Sequence, residues 1–197
     1  MKKHILYITL ALLSLSYQSL WSQEEALDPV KSWESTDAKW SEITDYEGRF
    51  RVTSPEAFTL KTDTVNTAIG ALVYHTFYLA PQKDNAENEV YMVSYTDYPE
   101  GAIHPDSTAL ITELFEETQD AAVNSVRGEL LFSQEGFQNK LPFRYWRIDY
   151  LNGNASIRTK AYVDVDRFYI VQTVTKRKYG MNYSTDRFID SFRIFTE

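Results

Sequence analysis

The sequence predicts an α+β sandwich around a largely antiparallel sheet, and three observations carry that prediction. Runs rich in tyrosine, phenylalanine and valine, bounded by proline, glycine or asparagine, fill both halves of the chain. Between them, Ser107 to about Asn124 places apolar residues at spacings of three and four, the period of a half-buried helix. Asn152-Gly153 separates two of the later runs and reads as a hairpin turn. Strands, a helix, more strands and a short helix, in that order, bury their apolar faces by layering.

The chain opens with Lys2 and Lys3, followed by an apolar run from Ile5 to Leu15 and then small or polar residues to Ser22. A basic start, a short apolar core and a small-residue boundary form the pattern of a signal peptide over 1–22. The apolar run is too short for a membrane span. Residues 23–39 are polar, carry Pro29 and show no sustained period, so they read as a lead-in to a single domain over 40–197. The reading is of an exported protein, periplasmic or extracellular, and the Lys-Lys start without cysteine points to a bacterium. With no cysteine, the chain is expected to have no lipoprotein anchor, disulfide, thiolate metal site or thiol nucleophile.

Removal of 1–22 takes Lys2 and Lys3 with it and leaves 18 basic residues against 28 acidic ones, a net charge of -10. Such a charge repels nucleic acid and anionic lipid. Two sequon matches, at Asn154 and Asn182, are short enough to arise by chance.

From Trp40 the elements follow in order. "WSEITDYEGRFRVTSP" gives two short strands around Glu47-Gly48, and a further strand includes Phe58, Leu60 and Val65. Gly70 to Ala80 and Glu89 to Asp97 pair across the polar loop "QKDNAEN". Each is apolar on both parities: Leu72, Tyr74 and Tyr78 against Val73, Phe77 and Leu79, then Tyr91, Val93 and Tyr95 against Val90 and Met92. A strand covered on one face alternates, so both faces here are expected to be covered. The helix buries Leu110, Ile111, Leu114, Phe115, Ala121 and Ala122, with Asp106 or Ser107 as its cap. "RGELLFSQEGF", "FRYWRIDYL", "ASIRTKAYVDV" and "RFYIVQTVTKR" form a four-stranded meander, with a tight turn at Asp166. A short helix from near Ser184 and a last extended piece close the chain.

Three stretches together resemble the PsbP-like family, whose founding member is an extrinsic subunit of photosystem II. They are "GRFRVTSPEAF", "YMVSYTDYP" before the long helix, and the terminal "FIDSFRI", in the family's order and spanning Trp40 to Phe195. The resemblance implies an α/β/α sandwich with a largely antiparallel central sheet. It also implies a generally non-enzymatic protein that docks to other proteins, with metal binding reported for some members. The matching segments are core and turn positions, so no site residue is carried over.

The nucleophile elbow, the Ser-x-x-Lys set, the P-loop and the dinucleotide fingerprint are absent from the sequence. No catalytic residue is assigned and no cofactor is expected, beyond a divalent metal at the loop carrying Asp97, Glu100, His104 and Asp106. Those spacings fit no established metal template, and solvated loop charges explain them more simply. "DNAENE", from Asp84 to Glu89, lacks the turn glycine and distal glutamate of a calcium loop, and His75 reads as a packing residue.

In the meander, taking Ile157, Ala161, Val163 and Val165 as inward turns Arg158, Lys160, Tyr162 and Asp164 outward; Tyr145 and Arg147 join them from the preceding strand. Tyr145, Arg147, Arg158, Lys160 and Tyr162 are therefore the candidate face for a protein or envelope partner, tyrosine and arginine being effective at interfaces. The simpler alternative is a solvated face whose charges pair with Asp149 and Asp164. Lys176-Arg177-Lys178 reads as a charged strand end that discourages edge pairing. A rival function is carriage of a small apolar or aromatic ligand, with Tyr74, Tyr78, Tyr91 and Tyr95 lining a cavity between sheet and helix. A metal-dependent hydrolase at the His104 loop ranks last.

Overall fold

The computed structural model describes residues 40–83, 86–180 and 182–195; the expected signal peptide and the whole lead-in lie outside them. These residues form β1 (Ser41–Asp45), β2 (Phe50–Ser54), β3 (Thr59–Thr67), β4 (Gly70–Leu79), β5 (Val90–Asp97), α1 (Thr108–Val126), β6 (Glu129–Gln138), β7 (Leu141–Tyr150), β8 (Ala155–Asp164), β9 (Arg167–Lys176), α2 (Tyr183–Ser191) and β10 (Arg193–Ile194). A single 3-10 turn, Arg177–Tyr179, joins β9 to α2.

Seven strands make one antiparallel sheet in the order β3-β4-β5-β9-β8-β7-β6, and β1-β2-β10 make a small second sheet. Two meanders, β3-β4-β5 and β6-β7-β8-β9, join where β9 pairs with β5 from Val90↔Val174 to Asp97↔Arg167. The chain must therefore pass from β5 to the far edge before it can return through β6. Helix α1 makes that passage. Nineteen residues reach about 28 Å, and four strand spacings require about 19 Å.

The helix follows from its sequence. Thr108–Val126 contains no glycine or proline, and Ile111, Leu114, Phe115, Thr118, Ala121 and Ala122 are buried on one side. They pack on Leu72, Tyr74, Trp146, Ile148, Ile157, Ala161, Val163 and Phe168. Leu110, expected inside, is exposed because it falls one residue off that stripe. Ser107 occupies the N-cap, but its side chain makes no capping bond. The helix ends on Arg127 in the left-handed conformation, and Gly128 follows where a Cβ would meet Ile148 at 2.4 Å.

The opposite face is covered by the small sheet and α2. Phe50, Val52, Phe188, Ile189 and Phe192 pack on Phe77, Leu79, Tyr91, Val93, Tyr95, Tyr162, Tyr169 and Val171. The two-sided apolar character of β4 and β5 thus has two separate cores to fill. Arg167 fastens the β1–β2 turn to the sheet: it pairs with Asp97, donates to the Glu47 carbonyl at 2.6 Å and lies over the Tyr95 ring at 4.6 Å. The Tyr169 hydroxyl donates to the Gly48 carbonyl at 2.9 Å, where a Cβ on Gly48 would meet the Tyr95 ring at 2.6 Å.

Helix α2 is held by a buried amide. The Asn88 Oδ1 accepts from Thr175 Oγ1 at 2.6 Å, Thr185 Oγ1 at 2.9 Å and Asn182 Nδ2 at 3.1 Å. Asn182 is itself the α2 N-cap, accepting from the Thr185 N–H at 2.7 Å. Buried there, Asn182 cannot serve as a glycan acceptor.

Two sequence expectations change here. Lys176-Arg177-Lys178 ends β9, which lies in the middle of the sheet, so the run guards no edge; Lys176 pairs with Glu89 at 2.8 Å and the rest enters the 3-10 turn. Val165, expected inward, is 49% exposed in the β8–β9 turn with φ at 54°.

The node and the turn yield opposite predictions. Asn88→Ala leaves several buried polar partners unsatisfied and should cost about 2–3 kcal/mol in a urea melt. Val165→Asn replaces a β-branched residue at positive φ with one that tolerates it, and should add about 0.5–1 kcal/mol. A destabilised Val165→Asn protein would show that the turn is not strained.

Candidate functional site

The residues expected to form a partner face do share one face of β7 and β8. Tyr145 lies opposite Lys160 and Arg147 opposite Arg158, while Tyr162 lies opposite Phe143. That face, however, does not open freely to solvent as expected, because α2, the 3-10 turn and β10 lie over much of it. Tyr162 is buried against Phe192 at 5.4 Å between ring centroids, and burial raises its pKa. Arg158 donates to Asp186 on α2 at 3.0 Å and to the Gly180 carbonyl at 3.3 Å.

The directly opposed Arg147 and Arg158 would repel each other if bare. Each is neutralised separately: Arg147 makes two bonds to Asp149, at 2.8 and 3.1 Å, while Arg158 takes Asp186. Asp164, expected to share this pairing, is instead buried at the end of β8. Lys160 donates to Gln138 Oε1 at 2.8 Å and sits 4.4 Å from the Phe143 ring centroid; burial lowers its pKa, opposed by Asp190. Gln138 also accepts from the Tyr162 hydroxyl at 3.2 Å. What remains accessible is a half-buried strip of Tyr145, Arg147 and Lys160 beside β6.

Strand β6 supplies what sequence reasoning missed. Among the described residues it pairs only with β7, and it forms one margin of the sheet. Leu130, Leu131, Phe132 and Phe137 are exposed along it, Leu131 to 47% and Phe137 to 75%. Phe132 and Tyr145 meet edge to face at 5.2 Å, joining this margin to the Tyr145 strip. The signal was present in "ELLFSQEGF", whose three successive apolar residues break the alternation of a strand with one buried face. A register irregularity between Leu130 and Phe132 accommodates them.

The four tyrosines proposed to line one cavity are divided between two cores. Tyr74 is buried against α1, whereas Tyr91 and Tyr95 are buried on the side of α2. The register requires this: Tyr91 is opposite Leu79 and Tyr95 opposite His75, both of the parity that faces away from Tyr74 and Tyr78. Tyr78 lies on the α1 side but is 38% exposed. A depression of ≈ 10 Å³ bounded by Gln138, Leu141, Tyr162, Phe192 and Arg193 has room for about one water.

The loop residues considered for a metal point to other partners. Asp97 is engaged by Arg167, with Nη2 to Oδ2 at 2.7 Å. His104 Nδ1 accepts from the Asp106 N–H at 3.2 Å, and Glu100 is exposed. Among the described residues, no three His, Asp or Glu side chains are grouped to hold a metal ion. His75 stacks on Tyr95 at 4.5 Å.

No family model and no curated protein matches this sequence. Among solved structures, the chain is similar to the solution structure of cyanobacterial PsbP (CyanoP) from Synechocystis sp. PCC 6803. The TM-score is 0.53 at 10% identity, over 85% of this chain and 100% of that one. The chain therefore has a PsbP-like fold, an α+β arrangement with antiparallel sheets. Among the described residues no helix is long and apolar enough to cross a membrane.

The buried tyrosines make the fold sensitive to alkali. Burial pushes Tyr74 and Tyr169 up to about 12 from an ordinary value near 10. Raised folded values mean that their stabilisation is complete below pH 10 and is lost as pH climbs through 12. Unfolding free energy should fall across that window by up to about 1.4 kcal/mol per pH unit for each ring. A flat stability profile between those limits, followed in urea, would show that the rings are open to solvent.

Proposed function

We propose that this is an exported, non-enzymatic interaction domain of PsbP-like type, which docks to a protein or other envelope component through the β6 margin of its sheet. The single observation that carries the reading is the set of large apolar side chains left exposed on both faces of β6, of which Phe132 joins the Tyr145 and Arg147 strip and Phe137 lies on the opposite face. Isolated exposed apolar residues need no explanation, but four along one sheet margin, beside half-buried aromatic and arginine groups, have the composition of an interface. The basic start and apolar run of residues 1–22 support export to a bacterial periplasm or beyond. The acidic balance of the chain argues against nucleic acid as the partner.

The arrangement suits non-covalent recognition. Tyr145, Arg147 and Lys160 offer two cations and a phenol around an apolar margin, and each is already oriented by a strand neighbour. The partner-facing set accordingly narrows from five residues to these three together with β6. Tyr162 and Arg158 act as supports beneath α2.

Photo-cross-linking in the native envelope tests the site. A photoreactive residue at Phe137 should give a discrete adduct, while one at Leu60, also exposed, on β3, should not. Equal adducts from both positions, or none from Phe137, would remove β6 as the docking margin.

A further inference from the structure

We infer that β6 is the site of strand addition, and that its occupant is an extended polypeptide segment alternating apolar with basic residues. This deepens the docking reading above and rests on it.

The two margins of the large sheet are built differently. Strand β3 carries the usual deterrents to pairing: Lys61 and Asp63 form an ion pair of 2.8 Å on it, among threonines. Strand β6 has no lysine and no proline, and its charged residues are two glutamates, of which Glu135 pairs inward with Arg144 of β7. Its irregularity is confined to the Leu130–Phe132 end, so Phe132 to Gln138 runs in regular register with β7. In an antiparallel pair every second residue turns its N–H and C=O away from the neighbour, and here nothing among the described residues takes them up. An added strand would continue the ladder there, with its side chains falling alternately on the two faces of the sheet.

Those faces state what the side chains must be. On the α2 side Phe132 and Gln134 lie beside Arg147 and Tyr145, an aromatic surface that receives apolar residues. On the α1 side Glu135 and the exposed Phe137 stand on β6, and Ser133 Oγ bonds Gln119 Oε1 at 2.5 Å, which brings the α1 surface with Glu116 and Asp120 alongside. Glu116 and Glu135 share the cation Arg144, while Asp120 is exposed. The margin is therefore acidic on the side where alternate residues of an added strand would fall, and a basic residue there is attracted. The same acidity opposes a second copy of this chain, since two identical acidic margins repel and each chain carries a net charge of -8.

The test uses the protein purified as its cell delivers it and a capped peptide alternating valine and lysine, read by amide hydrogen exchange and by affinity. The peptide should slow exchange across residues 132–138 and leave β3 unchanged. A valine–glutamate counterpart should bind about tenfold more weakly or worse, as should the Phe132→Lys, Phe137→Lys double variant towards the lysine peptide. The variant's melting temperature shows that it remains folded. Equal binding of the two peptides, protection at β3 instead, or no protection of β6 would overturn the inference. So would β6 amides already protected in a dimer without peptide, the sign of a second copy. A partner adduct at Phe137 in cells without protection of β6 by the lysine peptide would leave the docking reading standing and sink strand addition alone.

Discussion

The position of everything on the α2 side of the sheet depends on one buried side chain, Asn88. Its carboxamide lies just before β5, fully buried, yet it reaches β9 through Thr175 and α2 through Thr185 and Asn182. A buried amide carries a large desolvation cost unless all its partners are in place, so this node tolerates only one arrangement of the three elements. Because α2 is anchored by its N-cap, Phe188, Ile189 and Phe192 are delivered to the core, and Arg193 and Ile194 then pair with β2. Apolar burial supplies the stabilisation there; the amide network supplies the position.

That position also limits what can be covered. A sheet of seven strands is about 29 Å wide, and nine residues of helix give about 13 Å. With α2 pinned at β5 and β9, it and the short strands β1, β2 and β10 cover the middle of the sheet and end at β7, where Phe143 and Tyr145 pack against the layer. Arg158 and Tyr162 fall beneath this layer, Tyr145 lies at its rim, and Phe132 falls beyond it. On the other side α1 crosses to β6, but its contact there is polar, through Ser133 and Gln119 and through Arg144 with Glu116. The apolar residues of β6 are left without a layer on either face. The uncovered margin thus follows from how far a correctly anchored second layer can reach.

The sequence made the elements legible because each depends on a local period. Every strand and both helices fall within a few residues of expectation, and the two-sided apolar pattern of β4 and β5 led directly to two cores. Strand order is not a local property. Nothing within "RFYIVQTVTKR" announces that β9 sits beside β5, so its charged end resembles an edge and is not one. The face shared by Tyr145, Arg147, Arg158, Lys160 and Tyr162 was legible from parity, whereas the lid over it was not, since α2 is placed by an amide 94 residues from its cap. Parity within each strand grouped Tyr74 with Tyr78 and Tyr91 with Tyr95. Which faces of the two strands coincide depends on the register between them, Tyr91 opposite Leu79 and Tyr95 opposite His75, and parity alone does not give it.

The contrast between the two margins gives β6 its functional meaning. Both belong to one sheet, in one chain, and are exposed to the same risk of unwanted pairing. At β3 that risk is met with charge and threonine, and its one large exposed apolar residue is Leu60. At β6 four such residues lie along the margin, divided between its two faces, and the charge present is acid on the strand and beside it, where it repels a copy of the same chain. An apolar edge with no defence invites indiscriminate association. An apolar edge screened by charge of one sign admits only a partner of the opposite sign, so specificity comes from what is excluded. The acidity that keeps copies of this domain apart therefore also selects the segment able to complete its sheet.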